Sequence, residues 1–258
     1  MVIRRIREHV AAHNWFAVAV DVGIVVVGVF LGTQANNWNE ARLQRSAAAD
    51  YRRQIIDDLK SNQIDLTSRN TYYATARSHA LAALDMLEQP GRKRGAAFLL
   101  DAYQASQVWL RPLNRTGYDE MIGAGLSQSL GDRETRVRLT SYYTQIRQFD
   151  VTAMALTTYR ERLRRAMPYR VQEAIKRQCP ETLSTVPGGG QVSALSVGCK
   201  LELEPALVAA TLVRVESANL TEDLTRHIAD IDQKLSGFER FTRQAREIRA
   251  LLEMEDRG

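Results

Sequence analysis

The strongest hydrophobic pattern in the chain lies near its start. From Trp15 to Trp38 the stretch WFAVAVDVGIVVVGVFLGTQANNW is apolar almost throughout and contains one acid, Asp21. As a helix it rises about 35 Å, enough for a hydrocarbon core of about 30 Å with a tryptophan at each interface. Behind it the pattern becomes that of a helix with one apolar face. Leu43, Ala47, Tyr51, Ile55 and Leu59 recur every fourth residue, Tyr73, Ala80, Leu84 and Leu87 continue at helical spacing, and no strong breaker intervenes before Pro90. Residues 39–88 therefore read as one long helix, with TSRN at 67–70 as the candidate for a local break.

Further along, residues 96–108 read as a short helix, and 109–132 as an irregular stretch with a short helix near 118–123. Asp132 is placed to cap a second long helix, in which Leu139, Tyr142, Ile146, Phe149, Ala153 and Leu156 repeat at three and four, until Pro168 kinks or restarts it. The tract 180–200 reads as a loop. Pro205 suits the first turn of the next helix, and Leu224, Ile228, Ile231, Leu235 and Phe238 mark a last long helix over 220–254. No strand pattern and no internal repeat stand out. The expected fold is all-α: one N-terminal transmembrane helix (15–38) continuing into an extended antiparallel helical bundle (39–258). It is preceded by an interfacial amphipathic segment (1–14) with Val2, Ile6 and Val10 opposite its arginines.

A cleaved signal peptide is the competing reading of the apolar stretch, since TQA precedes Asn36 and arginines precede the span. The length of the stretch, its internal acid and its run into the next helix favour an uncleaved anchor. On a helical wheel Asp21, Val25, Gly28, Gly32 and Ala35 share one arc, and GVFLG at 28–32 is a GxxxG pattern that lets another helix approach closely. Two readings of Asp21 follow: a polar contact on a homo-oligomeric packing face, or an acid reaching toward headgroup water. Arginines flank both ends of the span, so charge leaves the orientation open. The only two cysteines, Cys179 and Cys199, flank a Pro- and Gly-rich turn and can close a disulfide, which points to an oxidising compartment. The expected orientation is thus a cytoplasmic N-terminus with the C-terminal domain outside the cytoplasm.

The net charge of +5 does not form a basic stripe, because Arg alternates with Asp and Glu, and this argues against a nucleic-acid partner. The chain has no Gly-rich phosphate loop, GxSxG, HExxH or CxxC, and its histidines stand apart at 9, 13, 79 and 227, so no cofactor, metal or catalytic residue is expected. Adjacent acids such as Asp57 with Asp58 and Glu222 with Asp223 point about 100° apart on a helix and read as solvated faces. One segment gathers aromatic and charged groups on a loop: Trp109, Arg111, Arg115, Tyr118, Asp119 and Glu120. Either it contacts a ligand or partner, or its aromatics cap the core while its arginines pair with acids.

The block IREHVAAHNWFAVAVDVGIVVVGVFLGTQANNWNEAR, the following YRRQIIDDL and the later GYDEMIGAGLSQSLGDRETRVRLTSYY resemble a bacterial family of single-span membrane proteins known only as a domain of unknown function. The resemblance covers about the first 150 residues. It implies a membrane-anchored helical protein and brings no substrate, cofactor or catalytic residue with it. The function expected from the whole sequence is a non-enzymatic scaffold or accessory protein, partnered by the bilayer, by its own copies and by another membrane or periplasmic protein. The alternative is an extracytoplasmic ligand-sensing bundle.

Overall fold

The computed structural model describes residues 15–89, 91–187 and 190–255, so the interfacial segment expected at 1–14 lies outside the described residues. The chain divides into two compact units, residues 1–51 and 52–258. Helix α1, Trp15–Glu88, begins in the first unit and continues through the second. Among the described residues of the first unit its apolar side chains are uncovered: Phe16, Ile24, Val29, Phe30 and Leu31 are all exposed. This is the one described helix long and apolar enough to cross a membrane. Leu43, placed by its spacing on the apolar stripe, is also exposed.

The second unit is all-α apart from one hairpin. After α1 come α2 (Ala96–Ala105), α3 (Thr116–Gly123), a single 3₁₀ turn at Ser127–Ser129, α4 (Arg133–Ala153), α5 (Thr158–Ala166) and α6 (Tyr169–Gln178). Strands β1 (Thr182–Thr185) and β2 (Gln191–Ala194) precede α7 (Pro205–Ser217) and α8 (Thr221–Glu255). Tyr73 of α1 stacks on Phe238 of α8, while Arg77 pairs with Asp232 and Gln63 meets Arg249, so α8 runs antiparallel to α1. Phe149 packs on Phe238 and Phe241, and Tyr142 on Phe241, so α8 is antiparallel to α4 as well. The two crossings build one continuous aromatic core. A neighbouring core joins α2, α5, α6 and α7 through Phe98, Tyr103, Tyr159, Leu163, Val171, Ile175 and Val215.

Most boundaries follow from local chemistry. Asp132 caps α4 by accepting from the Thr135 amide, as expected, and Pro205 occupies the first turn of α7. Three expectations are corrected. TSRN does not break α1, because Ser68 and Arg69 are buried there with partners across the fold. Helix α4 stops at Ala153, before Pro168, and Thr157 caps a separate α5, which leaves Leu156 exposed outside any helix. Within 180–200 the chain forms an antiparallel hairpin, Thr182 opposite Ala194 and Thr185 opposite Gln191, where no strand was expected. Its strands TLST and QVSA are too short and polar to alternate visibly. The hairpin is fastened instead by Ser193, whose amide donates to Ser68 Oγ of α1 and whose hydroxyl donates to Glu181, with the Thr182 carbonyl also within hydrogen-bond distance. Beside it Cys179 and Cys199 are joined as a disulfide with Cα atoms 5.8 Å apart.

Where α8 crosses α4 the fold needs a glycine: a Cβ on Gly237 would stand 2.3 Å from Phe149 Cε2 and 2.6 Å from its Cζ. Gly237→Ala is expected to destabilise the domain by about 1–3 kcal/mol through overpacking. Gly123→Ala, which meets nothing within 4 Å, should leave stability nearly unchanged. Urea unfolding of both variants checks the difference.

Candidate functional site

The segment singled out in the sequence is held by side chains of α1. Residues 58, 62, 65, 69 and 73 follow one another at intervals of four, three, four and four, so they lie along one face of the helix. That face meets a backbone with no regular ladder of its own. Tyr73 Oη accepts from the Trp109 amide at 3.1 Å, and Arg69 Nη2 donates to the Arg111 carbonyl at 2.6 Å. Asn62 bonds Asn114 in both directions, at 2.8 Å to its carbonyl and 2.7 Å from its amide. Asp58 accepts from Asn114 Nδ2 at 2.6 Å and from the Gly117 amide at 2.7 Å. These bonds replace the main-chain partners that an irregular buried segment lacks. Gly117 comes so close to α1 that a Cβ would lie 3.0 Å from Gln54 Cβ.

Arg69 stands at the centre of this face, with only 1% of its side chain exposed. Its Nη1 donates to Asp150 Oδ1 at 3.1 Å, its Nη2 lies 3.6 Å from Asp65 Oδ2, and its guanidinium sits over the Trp109 ring. Asp150 turns its other oxygen to the Leu113 amide at 2.9 Å. Arg111 reaches the same Asp65 oxygen at 3.6 Å from the solvent side. Burial lifts the Asp65 and Asp150 carboxyls above the usual carboxylate range, against the pull of the neighbouring guanidinium; burial also lifts Asp58, against the Gly117 amide.

Each of the six singled-out residues now has a place. Trp109 and Tyr118 are buried, Trp109 edge-on to Tyr72 and Tyr118 stacked 4.3 Å from Tyr143. Arg115 binds Asp119 with two nitrogens and donates to the Tyr143 carbonyl, and Arg111 pairs with Asp65, while Glu120 is exposed. The aromatics face the core and the arginines pair with acids. Asp58, read as solvated, is corrected: it is buried and accepts two hydrogen bonds, whereas Asp57 is exposed. Asp223, likewise read as solvated, is only partly exposed and pairs with Arg162. His79 meets Asp101 at 2.7 Å, and His227 is buried. Asp58, Asn62, Asp65 and Arg69 were missed although a signal exists, since they fall on the same wheel arc as Ile55, Leu59, Leu66 and Tyr73. Polar residues inside an apolar stripe mark buried partners.

No group of three or more metal-ligating side chains occurs among the described residues. Comparison with protein-family models, with curated proteins and with solved structures finds no match.

Arg69→Met is expected to cost about 3–5 kcal/mol at neutral pH, because it leaves Asp150 buried without its paired guanidinium and Asp65 with Arg111 alone. The loss should shrink as pH falls. Both carboxyls have folded-state pKa values raised above the unfolded value, further so in the variant, so protonation from that raised pKa down toward 3.8 favours the folded state. Thermal melts of parent and variant between pH 7 and pH 4.5 measure this narrowing gap.

Proposed function

We propose that the chain is a single-span membrane protein that tethers a helical domain to a bilayer and works as a scaffold or accessory subunit, without an enzymatic activity of its own. The observation that carries this reading is the exposed apolar first part of α1, continuous as one helix with the folded unit. In water that surface would be an aggregation hazard, whereas in lipid it is the right solvent for it. The disulfide supports an oxidising compartment for the domain, hence a periplasmic domain and a cytoplasmic N-terminus in a bacterial inner membrane. The resemblance to single-span bacterial proteins accords with the same reading. A ligand-sensing bundle is the second reading, and the cavity beside α8 is the observation in its favour.

Within the span the proposal includes a packing face. Asp21 is only half-exposed, its Oδ2 has no hydrogen-bond partner among the described residues, and a Cβ on Gly28 or Gly32 would meet nothing within 4 Å. A second copy of the helix would find a close-approach groove and a polar contact on one side, the latter worth about 0.6–2 kcal/mol. Gly28→Leu and Gly32→Leu should weaken self-association of the full chain in membranes more than Val26→Leu, with Asp21→Ala weaker in effect than the glycine changes. Energy transfer between labelled copies reports it, and equal responses from all faces would reject the packing face. A reporter fused after Gly258 should be active only outside the cytoplasm. Cross-linking in native membranes should capture a second protein together with the chain.

A further inference from the structure

Between α3, the 3₁₀ turn after it and the first half of α4 runs a groove of ≈ 590 Å³, within the size range of small-molecule sites. Most of its apolar lining is aliphatic. Met121, Leu130 and Leu139 line it as buried side chains, while Ile122 on α3 and Val137 on α4 line it with 46% and 60% of their surface exposed. Tyr118 lines it too, but its ring is stacked on Tyr143, 4.3 Å away at 15°. Ser127, Gln128, Thr140 and Ser141 complete the lining with neutral polar groups.

The charged residues that line the groove are both basic, Arg133 and Arg136. Three residues apart, they share a face of α4 with Val137. Arg133 is exposed and makes no hydrogen bond or ion pair with another described residue. Arg136 uses Nη1 for two carbonyls, that of Gly131 at 2.8 Å and that of Gln128 at 3.5 Å, which holds its guanidinium at the turn and leaves Nε and Nη2 without a described partner. The acids close by are engaged elsewhere. Asp119 binds Arg115 with both oxygens, Asp132 caps α4 through the Thr135 amide, and Glu134 pairs with Arg138, while Glu120 does not line the groove.

We propose that this groove binds an anionic amphiphile of the fatty-acid type, a single alkyl chain with a carboxylate head, the chain lying along Met121, Ile122 and Val137 and the head meeting Arg133 and Arg136. Charge complementarity selects the head, because guanidinium groups take a carboxylate through charge-assisted N–H donors and no acid lines the groove to compete for them. The apolar lining selects the tail. Aliphatic side chains on both sides suit a flexible chain, whereas a ring would need a free aromatic face, and that of Tyr118 is engaged by Tyr143. The exposed Ile122 and Val137 side chains gain cover only when such a chain lies between them. The site is separate from the membrane-anchor reading, and a chain shown not to insert into lipid would leave it in place.

The test uses the full chain in nanodiscs of zwitterionic lipid, with isotope-labelled methionine methyls, titrated with octanoate, its neutral isostere octanamide and the chainless anion acetate. The NMR signal of Met121 reads the groove itself and is assigned by its loss in Met121→Leu. Octanoate should shift it saturably and about fivefold more tightly than octanamide, the scale of a solvent-exposed charge contact, and acetate should leave it unmoved. Val137→Glu, an exposed substitution that places a like charge and a bulkier polar group in the groove, should abolish the octanoate response, and Arg133→Gln should narrow the preference over octanamide. No shift with octanoate at millimolar concentration, equal affinity for octanoate and octanamide, a response to acetate as tight as that to octanoate, or a response that survives Val137→Glu would overturn the proposal. So would a photo-cross-linker at position 137 that captures a protein, a second copy included, and no alkyl carboxylate in native membranes.

Discussion

Arg69 lies on a core-facing stripe of α1 with almost none of its side chain in contact with water, and a guanidinium survives such burial only if its charge and its donors are met. Three kinds of group meet the charge and both terminal nitrogens, only Nε having no hydrogen-bond partner among the described residues: the Asp150 carboxylate from α4, the Arg111 carbonyl from the irregular segment, and Asp65 one turn away on α1 itself. The rest of the unit depends on this arrangement, because Asp150 in turn holds the Leu113 amide. One charge thus ties a helix, its neighbour and a loop into a single register. An apolar residue in its place could pack as well, but it would not specify which carbonyl and which amide come together.

The same logic extends along α1. Asp58 and Asn62 fix residues 114–117, Tyr73 fixes residue 109, and Ser68 fixes the hairpin through Ser193. Polar side chains of one helix therefore position two segments that have little regular structure of their own. The disulfide closes the hairpin tract from the other side, between residues with a sequence separation of 20, and a loop of that length contributes about 3 kcal/mol by restricting the unfolded chain.

Saturation is not complete: Arg69 Nε, Asp65 Oδ1 and Trp109 Nε1, and on α8 Lys234 Nζ and His227 Nδ1, are buried with no hydrogen-bond partner among the described residues.

Periodicity along the chain determined the helices: α1 past residue 38, α4 from its Asp132 cap, α7 from Pro205 and α8 with its apolar stripe are all read from spacing and capping chemistry, which act within a few residues. The apolar run at 15–38 and the pairing of two lone cysteines were legible for the same reason, as local composition and simple arithmetic. Tertiary structure alone decided the end of α4 at Ala153, the continuity of α1 through TSRN, and the hairpin at 182–194. The last two rest on partners far away in sequence. Ser68 finds Ser193 across 125 residues and Arg69 finds Asp150 across 81, so no window of neighbouring residues contains both halves of the interaction. Lys234 is decided in the same way: it reads as one more charge on an amphipathic helix until the fold buries it, with the Tyr73 ring of α1 as its neighbour.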